Sequence, residues 1–280
     1  QAGALQAWAL FGMMFGALVL GSLADRIGRK KGVAISFALF TTATVLTGFA
    51  QTPEQFKVFR FIAGLGCGGL MPNAVALMNE YAPKRLRGTM VAIMFSGYSV
   101  GGMVAAALGI GLIPSFGWQP MFFVAALPLA LLPLILWRLP ESLGFMIRQG
   151  RQDEARRILA QIDPTVPADA QLVYTESKGK SASVAELFRH DRALRTVMLW
   201  VSFFCCLLLV YLLSSWLPKL LQEVGYAEKA SLLSLFSLNF GGMVGAIAGG
   251  RLGDRFGLPR VVVAFFALAA VSIGLIGFAP

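Results

Sequence analysis

Gly21-Ser-Leu-Ala-Asp25-Arg26-Ile-Gly28-Arg29-Lys30 recurs later in the chain as Gly250-Arg-Leu-Gly-Asp254-Arg255-Phe-Gly257-Leu-Pro-Arg260. Each copy closes one long apolar stretch and opens the next, with an acid, a base and a glycine at the turn. Two unrelated turns of this composition would not both fall at the same kind of junction. The chain is therefore read as an internal repeat, and the repeat sets the frame for everything else.

Working outward, apolar stretches of membrane-spanning length recur through most of the 280 residues. A helix needs about 20 apolar residues at ~1.5 Å each to cross a hydrocarbon core of ~30 Å. Eight stretches qualify: Gly3–Leu23, Gly32–Ala50, Gln55–Met78, Gly88–Leu112, Trp118–Trp137, Leu194–Leu217, Ala230–Leu252 and Pro259–Ala279. With 57% hydrophobic and 14% charged residues and a mean hydropathy of +0.71, a soluble fold is excluded. The lipid bilayer is the expected surroundings.

The formal net charge of +10 invites a nucleic-acid reading only if the bases form one solvated patch. They do not. Placing alternate loops on opposite sides of a membrane gathers all the Lys and Arg except Lys57, Arg60, Lys219 and Lys229 on one side. By the positive-inside rule that side, with the long segment Pro140–Arg192, is cytoplasmic. The charge records topology, so no nucleic-acid partner is expected. A multi-pass protein of the plasma membrane, the inner membrane in a bacterium, fits this pattern.

The second copy of the repeat has two spans between it and the long polar segment, and the first copy has one span ahead of it. Matching halves then imply a further span before Gln1, five of six spans visible in the first half and three of six in the second. Residues 1–138 read as the first half bundle, 139–192 as a linker and 193–280 as part of the second half. Within the linker, Leu143–Ile162 has the spacing of a surface helix and Pro164–Ser183 the composition of a tether.

Chemistry inside the spans is sparse. Cys67, Cys205 and Cys206 lie in apolar stretches with no metal-ligand spacing, so they read as packing residues and no metal is expected. All fourteen Asp and Glu lie in loops or at span ends. Arg60 alone is a charge set below the interface, and an arginine stays protonated, so it must face protein, water or an anion. Its partner is either a carboxylate outside this chain or the solute, unless the side chain snorkels to the interface. Arg60, Gly64, Cys67, Met71 and Met78 share a helical face, Gly64, Gly66, Gly68 and Gly69 permit close helix approach, and Pro72 frees carbonyls near Asn73. Trp200, Phe204, Tyr211 and Ser215 form an aromatic and polar stripe. Asn239, among Gly241, Gly242 and Gly245, is placed to bond a neighbouring helix or a solute.

Two turns carry paired charge. Gly21, Asp25, Arg26, Gly28 and Arg29 in the first copy, with Asp254 and Arg255 in the second, sit at the basic mouths of their spans. Glu80 and Arg87 flank Tyr-Ala-Pro83-Lys-Arg-Leu at another. Such pairs suit a latch that forms in one state and breaks in another.

These residues resemble the major facilitator superfamily. Gly21–Lys30 is similar to its loop signature, Arg60-Phe-x-x-Gly64-x-Gly66-x-Gly68-Gly69 to its fourth-span motif and Pro140-Glu141-Ser142 to the sequence after its sixth span. Met71-Pro72-Asn73-Ala74 through Glu80-Tyr81-Ala82-Pro83, with Tyr211-x-x-Ser-Ser-Trp216-Leu217-Pro218, looks most like its aromatic acid:proton symporters. The resemblance implies an all-α membrane bundle, with spans two to nine of twelve visible in two pseudo-symmetric halves. It implies a proton-driven uptake carrier for an aromatic carboxylate, monomeric, needing no cofactor beyond the proton gradient and working by alternating access. Arg60, Asn73, Tyr211, Ser215 and Asn239 become candidates for solute or proton coupling, and the turn residues for gating. Gly102 stands where antiporters of the superfamily carry proline, which favours symport. A symporter of another organic anion, a metabolite or a sugar is the alternative. An enzyme is disfavoured because the one histidine, His190, has no nucleophile or metal cluster about it.

Overall fold

The computed structural model describes residues 2–162, Phe188 and residues 192–276. Its long helices are α1 (Ala2–Ile27), α2 (Arg29–Thr47), α3 (Pro53–Tyr81), α4 (Arg87–Phe116), α9 (Arg192–Glu223), α10 (Glu228–Phe256) and α11 (Leu258–Ile276). Shorter helices α5 (Gln119–Phe123), α6 (Leu132–Arg138), α7 (Leu143–Arg148) and α8 (Gln152–Ile162) lie between α4 and α9. The tether Pro164–Ser183 and His190 lie outside the described residues.

The repeat in the sequence is a repeat in the backbone. Gly28 separates α1 from α2 at φ +102°, and Gly257 separates α10 from α11 at φ +87°, a left-handed conformation that favours glycine. In both turns the glycine N–H donates to the carbonyl four residues earlier, Gly28 to Ala24 at 2.9 Å and Gly257 to Gly253 at 3.0 Å. The basic residues Arg26–Lys31, Lys84–Arg87 and Arg251–Arg260 gather at one end of the bundle, called here the basic end.

Elsewhere the helix boundaries follow local chemistry. Thr52 caps α3 by accepting from Gln55 N at 3.2 Å, with Pro53 in the first turn. Ala82, held extended ahead of Pro83, stops α3. Among the described residues, seven stretches are long and apolar enough to cross a membrane. The helix of the expected span Gly32–Ala50, α2, is not among the seven, because Arg29–Lys31 and its threonines lower its hydropathy. Those threonines return their hydroxyls to the helix, Thr41 to Phe37 O at 2.8 Å, Thr44 to Phe40 O at 2.7 Å and Thr47 to Ala43 O at 2.9 Å.

Two expected helices are broken. Trp118–Trp137 is α5, a 3₁₀ stretch over Val124–Leu131, then α6, because Pro128 and Pro133 have no N–H for the α-helical ladder. Leu143–Ile162 is α7 and α8, parted at Gly150 with φ +74°. Phe145 and Met146 of α7 are buried.

Glycines set the helix spacing. A Cβ on Gly64 would lie 2.1 Å from Ala9 O and one on Gly68 2.0 Å from Met13 O; on α1, a Cβ on Gly12 would lie 2.1 Å from Phe61 O and one on Gly16 2.0 Å from Leu65 O. Two small-xxx-small pairs thus interlock with backbone against backbone. Gly66 meets the backbone of Phe40 and Ser36 of α2 in the same way, whereas Gly69 meets the side chains of Leu20 of α1 and Ser36 of α2. The fourth-span glycines therefore serve two neighbours: Gly64 and Gly68 take α1, Gly66 takes α2, and Gly69 lies between the two. Arg60 and Cys67 are left on the flank between those contacts.

Candidate functional site: a polar latch at the basic end and a cluster between the halves

At the basic end, two carboxylates bind α7 to the first half. Glu80, at the end of α3, pairs with Arg29 and accepts from Ser142 Oγ and Leu143 N, both at 3.0 Å. Glu141 Oε1 accepts from Lys30 N at 3.0 Å and Ser142 N at 2.9 Å, while its carbonyl takes the Tyr81 hydroxyl at 2.6 Å. Each carboxylate thus satisfies N–H groups in the first turn of a helix, α7 for Glu80 and α2 for Glu141, where the backbone dipole favours negative charge. A Cβ on Gly28 would lie 2.3 Å from Glu141 Oε2, so this glycine is required twice, by its φ and by its neighbour.

Arg87 does not complete the pair that its spacing from Glu80 suggests. It is exposed, and Arg29 takes the carboxylate from across the bundle. Asp25 lies 3.9 Å from Arg29 Nε at the exposed edge of the same network. Arg26 is exposed, and Arg255 sits over the Phe256 ring at 5.2 Å. Glu141 was quoted in the motif after the sixth span but was not among the gating candidates. Only the fold shows its carboxylate against the α2 N-terminus.

Asp254 joins the two halves. Its carboxylate accepts from Gly88 N at 3.0 Å, Thr89 N at 2.8 Å and Thr89 Oγ1 at 2.6 Å. Leu86, at the N-cap of α4, has no side-chain cap to offer, so an acid from the other half supplies it. One turn back, a Cβ on Gly250 would meet the Ala92 Cβ at 2.6 Å and Gly88 O at 2.9 Å. Gly21 and Asp25 are the matching pair of the first copy. A Cβ on Gly21 would meet nothing within 4 Å, and Asp25 is largely exposed.

The seam continues up α4 and α10. Midway, Asn239 Oδ1 lies 2.3 Å from where a Cβ on Gly102 would stand, while its amide donates to Leu235 O at 2.9 Å. The hydrogen bond of Asn239 stays within α10, and its oxygen packs against α4 at Gly102. At the end opposite the basic one, Ser215 Oγ donates to Gln6 Oε1 at 3.1 Å, joining α9 to α1. Asn73 turns away from this region. It is buried, donates to Gly69 O at 2.8 Å and faces Gly32 of α2.

Arg60 makes no hydrogen bond or ion pair among the described residues. Cys67 lies two turns on along the same helix, and Tyr98 of α4 and Tyr211 of α9 are within electrostatic range of it. Arg60 and Tyr211 were expected here, and Cys67 and Tyr98 were not. Cys67 read as packing because a lone thiol in an apolar stretch has no partner visible in sequence. The aromatic stripe of α9 divides by depth: Tyr211 and Ser215 turn to the first half, whereas Trp200 and Phe204 lie on open apolar surface, Trp200 edge-on to Phe188 at 5.6 Å. Among the described residues no group of three His, Cys, Asp or Glu is placed to hold a metal ion.

A helical bundle with a repeated turn, one copy of which joins two halves, and with a half-buried arginine inside a span has the form of a membrane transporter. The Major Facilitator Superfamily model matches residues 1–280, and the chain belongs to that family. It is 44% identical to the benzoate transport protein of Acinetobacter baylyi over 99% of this chain and 61% of that protein. It is 37% identical to the 4-hydroxybenzoate transporter PcaK of the same organism over 99% of this chain and 62% of the relative. The chain thus spans about three-fifths of the length of these relatives. The proton:xylose symporter XylE bound to 6-bromo-6-deoxy-D-glucose matches with a TM-score of 0.71 at 19% identity, over 89% of this chain and 58% of XylE, which shows the shared fold.

Proposed function

We propose that this chain forms the larger part of a carrier that takes up a small aromatic carboxylate together with a proton. The observation that carries this reading is Arg60, a permanent charge inside a span with no ion pair among the described residues. Desolvating such a cation costs several kcal/mol unless an anion or water compensates it, and a carboxylate binds guanidinium by two parallel hydrogen bonds. The relatives named for benzoate and 4-hydroxybenzoate point the same way. Tyr211 from the second half supplies a ring face and a hydroxyl for the solute.

In this reading the basic end faces the cytoplasm, and Asp254 on the N-terminus of α4 closes that side by joining the halves. Alternating access then requires this cap to break as the halves rock. By the repeat, Gly21 and Asp25 take the matching helix of the second half in the whole protein. The network of Glu80, Arg29 and Glu141 ties α7 of the linker to the first half, so α7 rides with that half. The experiment is uptake of labelled benzoate by membrane vesicles holding the full-length protein under an imposed pH gradient. Uptake that collapses with an uncoupler supports proton symport; uptake that follows the benzoate gradient alone, indifferent to the uncoupler, refutes the coupling.

A further inference from the structure

Hydrogen bonds join the two halves at opposite ends of the bundle. At the basic end the Asp254 carboxylate takes the N-terminus of α4. At the far end Ser215 Oγ of α9 donates to Gln6 Oε1 of α1 at 3.1 Å. Gln6 stands in the second turn of α1, and Ser215 about two turns before α9 ends at Glu223. Both side chains are half-buried and neither carries a charge, so this bond does not titrate and is not screened by salt.

The backbone of α9 is weakest beside this bond. Pro218 lies inside the helix, and its missing N–H leaves the Ser214 carbonyl, next to Ser215, without its partner in the α-helical ladder. Gly225, at φ +99°, then turns the chain toward α10. Residues 218–225 therefore lie between two points at which the backbone can bend. Leu220 and Val224 in this stretch and Trp216 just before it are exposed, so little packing holds it. We propose that Ser215 and Gln6 are the far-end latch of the carrier: their bond holds α9 against α1 while that end is shut, and its release lets α9 bend at Pro218 and open the path from that side. This rests on the carrier reading above, in which Asp254 closes the basic end. Asp254 binds through its charge to Gly88 N, Thr89 N and Thr89 Oγ1, and Ser215 through a bond between neutral groups, so of the two ties the far one is the weaker. Weakening either end favours the state open on that side and depopulates the other.

The test is labelling of Ala92→Cys from the basic side, in inside-out vesicles holding the full-length protein, with an impermeant maleimide read at position 92 by mass spectrometry. Ala92 lies against Gly250, one turn behind the Asp254 cap, so it reports opening of the basic end. Loss of one neutral hydrogen bond at the far end moves the equilibrium toward the state open there, and Ser215→Ala lowers the labelling rate by roughly twofold to tenfold. Gln6→Ala gives the same slowing, the double variant is no slower than either, and Ser215→Thr, which keeps the hydroxyl, labels like its parent. A general loosening of the bundle would raise the rate instead. A rate unchanged or raised in Ser215→Ala overturns the latch, and so does a slowing that Gln6→Ala does not share. Should Ser215→Ala not reach the membrane, Gln6→Ala decides by the same criterion. Asp254→Asn separates the two readings. If it too leaves the rate unaltered, the carrier reading with Asp254 as cap fails, whereas a rise with Asp254→Asn and no response to Ser215→Ala overturns the far-end latch alone.

Discussion

Replacing Gly68 by alanine tests the interlocked α1–α3 contact most sharply. The added Cβ would stand 2.0 Å from Met13 O and 2.7 Å from Met13 Cα, both backbone atoms that cannot rotate away. Ordinary contact begins near 3.4 Å, so the helices must part by more than an ångström. Overpacking of this kind costs about 1–3 kcal/mol. Intrinsic helix propensity works in the opposite direction, favouring alanine over glycine by ~1 kcal/mol. Gly101→Ala isolates that second effect, because a Cβ there meets nothing within 4 Å. The assay is the Tm of purified full-length protein in detergent. Gly68→Ala is expected to melt lower than wild type and Gly101→Ala at or above it. Equal Tm values for the two variants would refute the claim that these glycines are required by contact.

Three further outcomes follow from the same geometry. Gly28→Ala forces a side chain into φ +102° and against Glu141; hydrogen exchange of α7 in the full-length protein should rise, and unchanged protection would contradict the docking described. Gly102→Ala should impair uptake because its Cβ meets Asn239 Oδ1 at 2.3 Å, and Asn239→Ala should restore part of the loss, giving a non-additive double-mutant cycle. Asp254→Asn removes the charge from the N-terminus of α4, so a cysteine placed at Ala92 should label faster from the basic side; an unaltered rate would argue against Asp254 as a cap between the halves.

Much of the architecture was legible because it depends on local chemistry. The repeated Asp-Arg-x-Gly turns fold alike since each needs a left-handed glycine between two helices, and that requirement is written in four residues. The fourth-span glycines were legible as a close-approach face, but Gly12 and Gly16 of α1 were missed as their partners, since a small-xxx-small pair becomes a contact only when another helix is known to lie there. Glu80 was legible as half of an ion pair, yet its partner is Arg29, because pairing across 51 residues is decided by how the turns stack. Asn73 was misplaced by residue type: at 100° per residue it points nearly opposite Arg60, toward α2. Tyr98 gave no signal of its own, since only the fold brings α4 within range of Cys67 on α3 and Tyr211 on α9.

The measurement that bears most directly on the central claim is uptake of labelled benzoate by vesicles containing the full-length protein, wild type against Arg60→Ala and Arg60→Lys. The account predicts saturable uptake by wild type, competition by 4-hydroxybenzoate, loss in Arg60→Ala, and at best partial recovery in Arg60→Lys, which keeps the charge and loses the fork that holds a carboxylate. Full benzoate uptake by Arg60→Ala would contradict it.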